Sequence, residues 1–156
     1  MELKSGAKLG PYEFHPGTTG FDIWTVGLGD RKERPFLETQ YNETAPRFSP
    51  DGHWLAYASD ESGRWDVYVQ PFPGPGGKWQ VSTEGGTEPA WNPAGRELFY
   101  RAGSRMMAVP VTLQPEFSAG KPVVLFEGPW LPTPRTTPNY DVSRDGQRFL
   151  MLKSTD

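Results

Sequence analysis

The 156-residue sequence contains no cysteine. Disulfides and thiolate metal sites are therefore excluded, and the redox compartment is left undetermined. Histidine is nearly absent too: His15 and His53 are the only two, and neither has a partner at metal-ligand spacing. Charge of one sign is also scarce. A net charge of −3 supplies no basic field that would gather nucleic acid. No apolar run approaches the roughly 18 residues of a membrane span, and "MELKSGAKLGPYEF" lacks the apolar core of a secretory signal. As it stands, the chain is expected to remain in the cytoplasm. No segment of ten or more residues shows a 3.6-residue apolar period, so helix should be nearly absent.

What is abundant points the other way. Gly 18 and Pro 17 approach low-complexity levels, yet 6 Trp, 6 Tyr and 9 Phe argue against disorder. Many short strands joined by tight turns reconcile the two, since turns consume Gly, Pro, Asp and Asn while pleated faces consume aromatics.

The turn signals recur. "SPDG" ends at Gly52, "NPAG" at Gly95 and "SRDG" at Gly146, at intervals of 43 and 51 residues. Each follows a short aromatic-bearing segment and precedes a strand-like run: "HWLAYAS", "RELFYRA" and "QRFLMLK". A second series follows: "DIWTVGL", "DVYVQPF" and "RMMAVPV". A third, "RPFLET", "KWQVST" and "PVVLFE", closes each unit. The unit is four strands, a to d, with the Asp-Gly-type turn between a and b. Four strands in about 43 residues is the length of a propeller blade, and a sandwich would not repeat the same four-part order.

"APRFSPDGHWLAYASDESGRWDVYV" and "EPAWNPAGRELFY" resemble the TolB-type β-propeller repeat, and most nearly the propeller that follows the kinase domain in certain bacterial serine/threonine protein kinases. The likeness covers about residues 14 to 153, and it implies a six-bladed ring. "LKSGAKLGPYE", residues 3–13, resembles the start of those kinases, just before their glycine-rich ATP loop. None of the loop, the strand lysine, the H-R-D or the D-F-G motif follows. The expected organisation is a kinase-like remnant or linker at 1–13, blades over 14–153, and a tail at 154–156. The blades divide into a partial blade at 14–38, with a b-strand remnant around Tyr12–Phe14, full blades at 45–83 and 88–127, and a partial blade at 139–153.

Three blades' worth of strands cannot readily enclose an axis, and an open half-ring would expose strand edges and apolar faces. The expectation is an all-β propeller fragment closing as a six-bladed ring in a C2 homodimer. Strands from 139–153 of one chain would complete the 21–38 half blade of its partner.

Candidate chemistry is weak. Asp60-Glu61 and Glu84 with Glu88 are carboxylate pairs, but Asp60 is explained by the turn it occupies. "SDESGRWD" lacks calcium-loop spacing, and no G-x-S-x-G is present. "PGPGGK", ending at Lys78, lacks the phosphate-loop pattern and reads as a c–d hairpin. Trp24, Trp54, Tyr57, Tyr68, Trp91, Phe99 and Tyr100 read as core between blades, and Asp22 and Asp66 as anchors of the b–c turn. No catalytic residue, metal or cofactor is expected. Recognition at the channel mouth is the favoured function, through Tyr41, Glu43, Arg47, Glu88, Trp130 and Asn139, with aromatic anchors of the kind that interfaces use. A peptide or protein is the expected partner beside a second copy; nucleic acid and membrane are not. A ligand-free structural or vestigial fragment stays open as an alternative. So does a hydrolase acting through rim carboxylates such as Glu88.

Overall fold

The computed structural model of the chain describes residues 20–131 and 138–155, together with the backbone of residues 2–5. Among the described residues every regular element is a strand, and every pairing is antiparallel. β1 (Glu2–Ser5), β2 (Ile23–Val26) and β3 (Glu33–Leu37) form one sheet in that order. β4 (Glu43–Phe48), β5 (Trp54–Ser59), β6 (Asp66–Pro71) and β7 (Trp79–Gln80) form a complete four-stranded blade. β8 (Thr87–Trp91), β9 (Glu97–Ala102) and β10 (Arg105–Thr112) form the next. Its outermost position is shared by β11 (Ser118–Ala119) and β12 (Val123–Glu127), which both pair with β10. β13 (Tyr140–Val142) and β14 (Phe149–Met151) form a closing hairpin.

Two features depart from the strand count expected of the sequence. The place beside β2 is held by β1, in register Leu3↔Thr25 and Ser5↔Ile23, so the stretch expected to be a linker contributes a strand. The b-strand remnant expected at Tyr12–Phe14 lies outside the described residues. The division of β11 from β12 has a local cause. The eight-residue β10 carries Pro110, which has no N–H to offer, and Gly120 N–H donates to its carbonyl where the outer chain turns away.

The three turns repeat in detail. Gly52, Gly95 and Gly146 take φ of 75°, 73° and 70°, the left-handed region that glycine tolerates. Each donates its N–H to the residue three before it, Ser49, Asn92 and Ser143, at 2.7–2.9 Å. Asp51 accepts from His53 N–H at 3.1 Å, and Asp145 accepts from Gln147 N–H at 3.1 Å. His53 is exposed and joins this turn through its backbone N–H.

The core lies between sheets, as the period-2 pattern requires. Along β5, Leu55 and Tyr57 face the β1–β3 sheet and pack with Ile23, while Ala56 faces the other way, toward Trp91, Leu98 and Tyr100. Phe99 and Met106 meet Tyr140, Phe149 and Met151 of the closing hairpin. The expected aromatic core is present: Tyr57, Tyr68, Trp91, Phe99 and Tyr100 are buried, and Trp24 and Trp54 are half-buried. Indole N–H groups tie neighbouring blades, Trp54 to the Leu113 carbonyl and Trp91 to the Arg47 carbonyl, both at 3.0 Å. Beyond the closing hairpin the pattern breaks: Leu150 is 73% and Leu152 53% exposed. No helix among the described residues is long and apolar enough to cross a membrane.

Candidate functional site

β4, β8 and β13 form the inner row, where successive sheets meet through their first strands. β8 reaches β4 through the bond from Trp91 to Arg47. β13 reaches β8 twice: Asn139 N–H donates to Glu88 Oε1 at 2.8 Å, and the Tyr140 hydroxyl donates to the Glu88 carbonyl at 2.5 Å. Burial drives the Tyr140 hydroxyl pKa up, with the Glu88 charge adding to it and Arg47 and Arg101 opposing.

Two of the inner strands, β4 and β8, bulge seven residues before their turn glycine. Ala45 and Glu88 occupy that position with φ of 52° and 56°, and the pairing register shifts there, between Thr44 and Arg47 and between Thr87 and Ala90. A non-glycine residue with positive φ is strained by roughly 1–3 kcal/mol and persists only when its surroundings over-determine it. At Glu88 the two bonds from the next hairpin do so. Asn139 is the third residue of this series, seven before Gly146.

The six residues expected at the mouth therefore differ in their settings. Glu88 is fully buried, and its carboxylate latches two blades together. Glu43 is buried too, at 1% exposure, with Thr39 donating to one oxygen while Oε2 meets no donor among the described residues. Burial pushes its carboxyl up to about 7; the Thr39 bond opposes this, and the charges of Asp22, Glu61 and Asp60 add to it. Arg47 is exposed and folds back onto the Pro46 carbonyl at 2.9 Å. Tyr41 is half-buried, its hydroxyl bonded to Gln40 Nε2 at 2.8 Å. Asn139 is half-buried beside Glu88. Trp130 stands apart from these on the outgoing segment, edge-on to Phe126 and bridged through its backbone to Lys153. The fold brings Glu88 and Asn139 into contact, with Arg47 close enough to act on Tyr140 between them.

Other sequence candidates take structural places. Asp60 accepts from Asn42 N–H at 2.9 Å and from Asn42 Nδ2 at 2.7 Å, fixing the entry to β4. Lys78 pairs with Glu61 at 2.5 Å and lies over the Tyr68 ring, within the β6–β7 hairpin loop. Asp66 is the strongest anchor. It accepts from Ser82 Oγ at 2.6 Å, Ser62 Oγ at 2.7 Å, Arg64 Nε at 3.1 Å and Gly85 N–H at 3.2 Å. Burial pushes its carboxyl up, but the bonds from Ser82, Ser62 and Arg64 outweigh burial and hold it below the usual range. The proline-rich loop "GPWLPTPRTTP", whose composition points to an extended conformation, falls largely on residues 132–137, outside the described residues.

Sequence reasoning missed Arg101. It is buried at the end of β9 and donates to the Leu131 and Gly103 carbonyls at 2.7 and 3.1 Å, holding the start of that loop. A second arginine near the end of "RELFYRA", directly after the apolar run, was the available signal. Beside it a cleft of about 290 Å³ opens among residues 83–87, Tyr100, Arg101 and Arg105. Arg101 is engaged by carbonyls and Arg105 by Glu127 at 3.7 Å, so the cleft offers little free positive charge to an anion.

This architecture, antiparallel four-stranded units stacked face to face through apolar sides, defines the chain as a set of β-propeller blades. Known structures bear this out. The fold matches a protein assigned as TolB from Agrobacterium tumefaciens, at TM-score 0.54 and 16% identity, over 69% of this chain and 41% of that one. It also matches TolB from Acinetobacter baumannii, at TM-score 0.52 and 13% identity, over 89% of this chain and 45% of that one. The blades are thus TolB-like in fold, and the chain spans less than half the length of either structure. Comparison with protein-family models and with curated proteins gave no match.

Proposed function

We propose that this chain is a non-catalytic β-propeller scaffold that closes as a six-bladed homodimeric ring and recognises a peptide or protein at the mouth of its channel. The observation that carries the reading is the closing hairpin. β13 and β14 occupy the first two strand positions of a blade, and Leu150 and Leu152 stand exposed while Phe149 and Met151, which alternate with them, pack on the neighbouring sheet. Val123, Val124 and Leu125 of β12 are exposed as well. Covering Leu150 and Leu152 would contribute up to roughly 3–6 kcal/mol at each of two seams. A second copy offers the complementary half blade, and C2 symmetry satisfies both seams at once.

The lack of catalytic activity is supported by the use made of the carboxylates. Asp60, Asp66 and Glu88 accept backbone or hydroxyl hydrogens that the fold needs satisfied. Recognition is assigned to Arg47, the exposed charge among the expected mouth residues, with Tyr41 and Trp130 as rigid aromatic surface. Descent from a kinase-associated propeller belongs to this reading through residues 3–13 and the order of the repeat motifs.

Light scattering after size exclusion tests the ring. The 156-residue chain should have about twice its 17.5 kDa mass, and a mass of one copy overturns the reading. Peptides selected against the protein from a random display library should lose affinity about tenfold on Arg47→Ala. If selection yields nothing, the ligand-free scaffold becomes the better reading.

A further inference from the structure

A strand edge is a template for another strand, and in the single chain β1 holds one edge of β2. The complete blade supplies the reference register: β5 lies along β6 with Ala56↔Val69, Tyr57↔Tyr68 and Ser59↔Asp66. β2 opens with "DIWTV" where β6 opens with "DVYVQ", so Asp22, Trp24 and Thr25 take the places of Asp66, Tyr68 and Val69. β14 follows Gly146 as β5 follows Gly52, so Leu150, Met151 and Lys153 take the places of Ala56, Tyr57 and Ser59. Laid along β2 in this register, β14 of a second copy sets Leu150 opposite Thr25, Met151 opposite Trp24, and Lys153 opposite the acidic Asp22. In the single chain β1 holds the same positions, with Leu3↔Thr25 and Lys4↔Trp24.

The two strands are not equally suited. The position lies between two other strands and two sheet faces, and in the complete blade Leu55, Ala56, Tyr57 and Ala58 fill it fully buried. "FLML" of β14 matches that demand. "ELKS" of β1 has two charged residues among its four.

The other side of the seam agrees. A cleft of about 540 Å³ lies between β12 and the closing hairpin, lined by Phe99, Leu125, Phe126, Trp130, Phe149 and Met151 among others. In the complete pair of sheets the matching space is filled from the β6 segment. There Tyr68 stacks on Tyr57 at 5.9 Å, and Phe72 meets Phe36 and Phe48 at 5.4 and 4.7 Å. The residues of the first sheet in those places are Trp24 and Leu28, and Leu28 is 64% exposed in the single chain.

We infer that β1 is a stand-in strand: in the paired assembly β14 of a second copy takes the β2 edge from it, and Trp24 and Leu28 enter that copy's apolar cleft beside Phe126. The exchange rests on the dimeric-ring reading and adds to it a competitor within the chain. β1 shields the edge of a lone copy and weakens pairing until two copies meet.

Deleting Glu2–Ser5 behind the initiator methionine removes the competitor, and sedimentation should show the dimer Kd fall at least tenfold. Leu28→Asp alters a side chain already exposed in the single chain, so it should leave the fold intact while raising Kd at least tenfold. The cysteine-free sequence permits a direct register test: the double variant Thr25→Cys, Leu150→Cys should oxidise to a covalent dimer, and neither single variant should do so at that position. If every variant stays at the mass of one copy, the ring and the exchange fall together. If the dimer forms but its Kd ignores the deletion, or the cysteine pair does not link, the ring stands and the exchange is overturned.

Discussion

β5 and β14 are the same strand of the repeat in two settings. Both follow a glycine turn with φ near 70–75°, and both have an inner-strand partner. β5 has sheets on both faces and a second strand along its far edge, and its Leu55, Ala56, Tyr57 and Ala58 are buried. β14 has one sheet on one face: Phe149 and Met151 pack, while Leu150 and Leu152 stand in solvent. Alternating apolar residues thus make a strand in either place, and the neighbours decide what that strand contributes.

Matched substitutions sharpen the comparison. Tyr57→Ala should cost about 3–5 kcal/mol in urea unfolding, because the emptied space is enclosed on both sides. Met151→Ala, at the equivalent position, should cost only about 1–2 kcal/mol where one side is open. Equal losses would mean that the closing hairpin is enclosed as fully as the central blade. The next largest effect is expected at the b–c turns. Asp66→Ala strands two hydroxyls and a glycine N–H, for a loss of about 3 kcal/mol. Asp22→Ala, at the half-buried equivalent, should lose about 1 kcal/mol or less.

The smallest effect concerns the two bulge-side carboxylates and depends on pH. Glu43 carries a folded-state pKa near 7 against an ordinary value of 4.5, so between those values the folded chain binds the extra proton. Its contribution is therefore fully present below about pH 4.5 and lost as pH rises through 7. Glu43→Gln should raise stability at pH 8 relative to pH 5 by about 2 kcal/mol compared with the unaltered chain. Glu88→Gln should instead weaken the tie to the closing hairpin, because an amide oxygen accepts the Asn139 N–H less strongly than a carboxylate does. Thermal unfolding at the two pH values checks both, and a pH-independent Glu43→Gln effect would show the carboxyl to be ionised throughout.

Much of this architecture was legible in the residues. The spacing of Gly52, Gly95 and Gly146, and the runs after them, mark the blade, its turn and its second strand, because turn chemistry and period-2 alternation are local properties. Asp66 was readable as an anchor of the b–c turn. Its reach to Ser82 and Gly85 was not, since that contact spans 16 to 19 residues of sequence. The candidate site was read least well. Glu43, Arg47 and Glu88 look alike as polar residues of inner strands, yet two are buried and one is exposed. A one-residue bulge turns a side chain from one face to the other, and nothing in the composition of "ETAPRF" or "TEPAW" announces its direction.

By itself the sequence determined the strands, the turns and the all-β class, since each follows from residues within a few positions of one another. Only the tertiary structure decided that Glu2–Ser5 would hold the β2 edge, that Glu88 would latch two blades, and that Leu28, Leu150 and Leu152 would be left in solvent. Edge occupancy and burial depend on which sheet lies alongside, and that neighbour is set by packing across the whole chain.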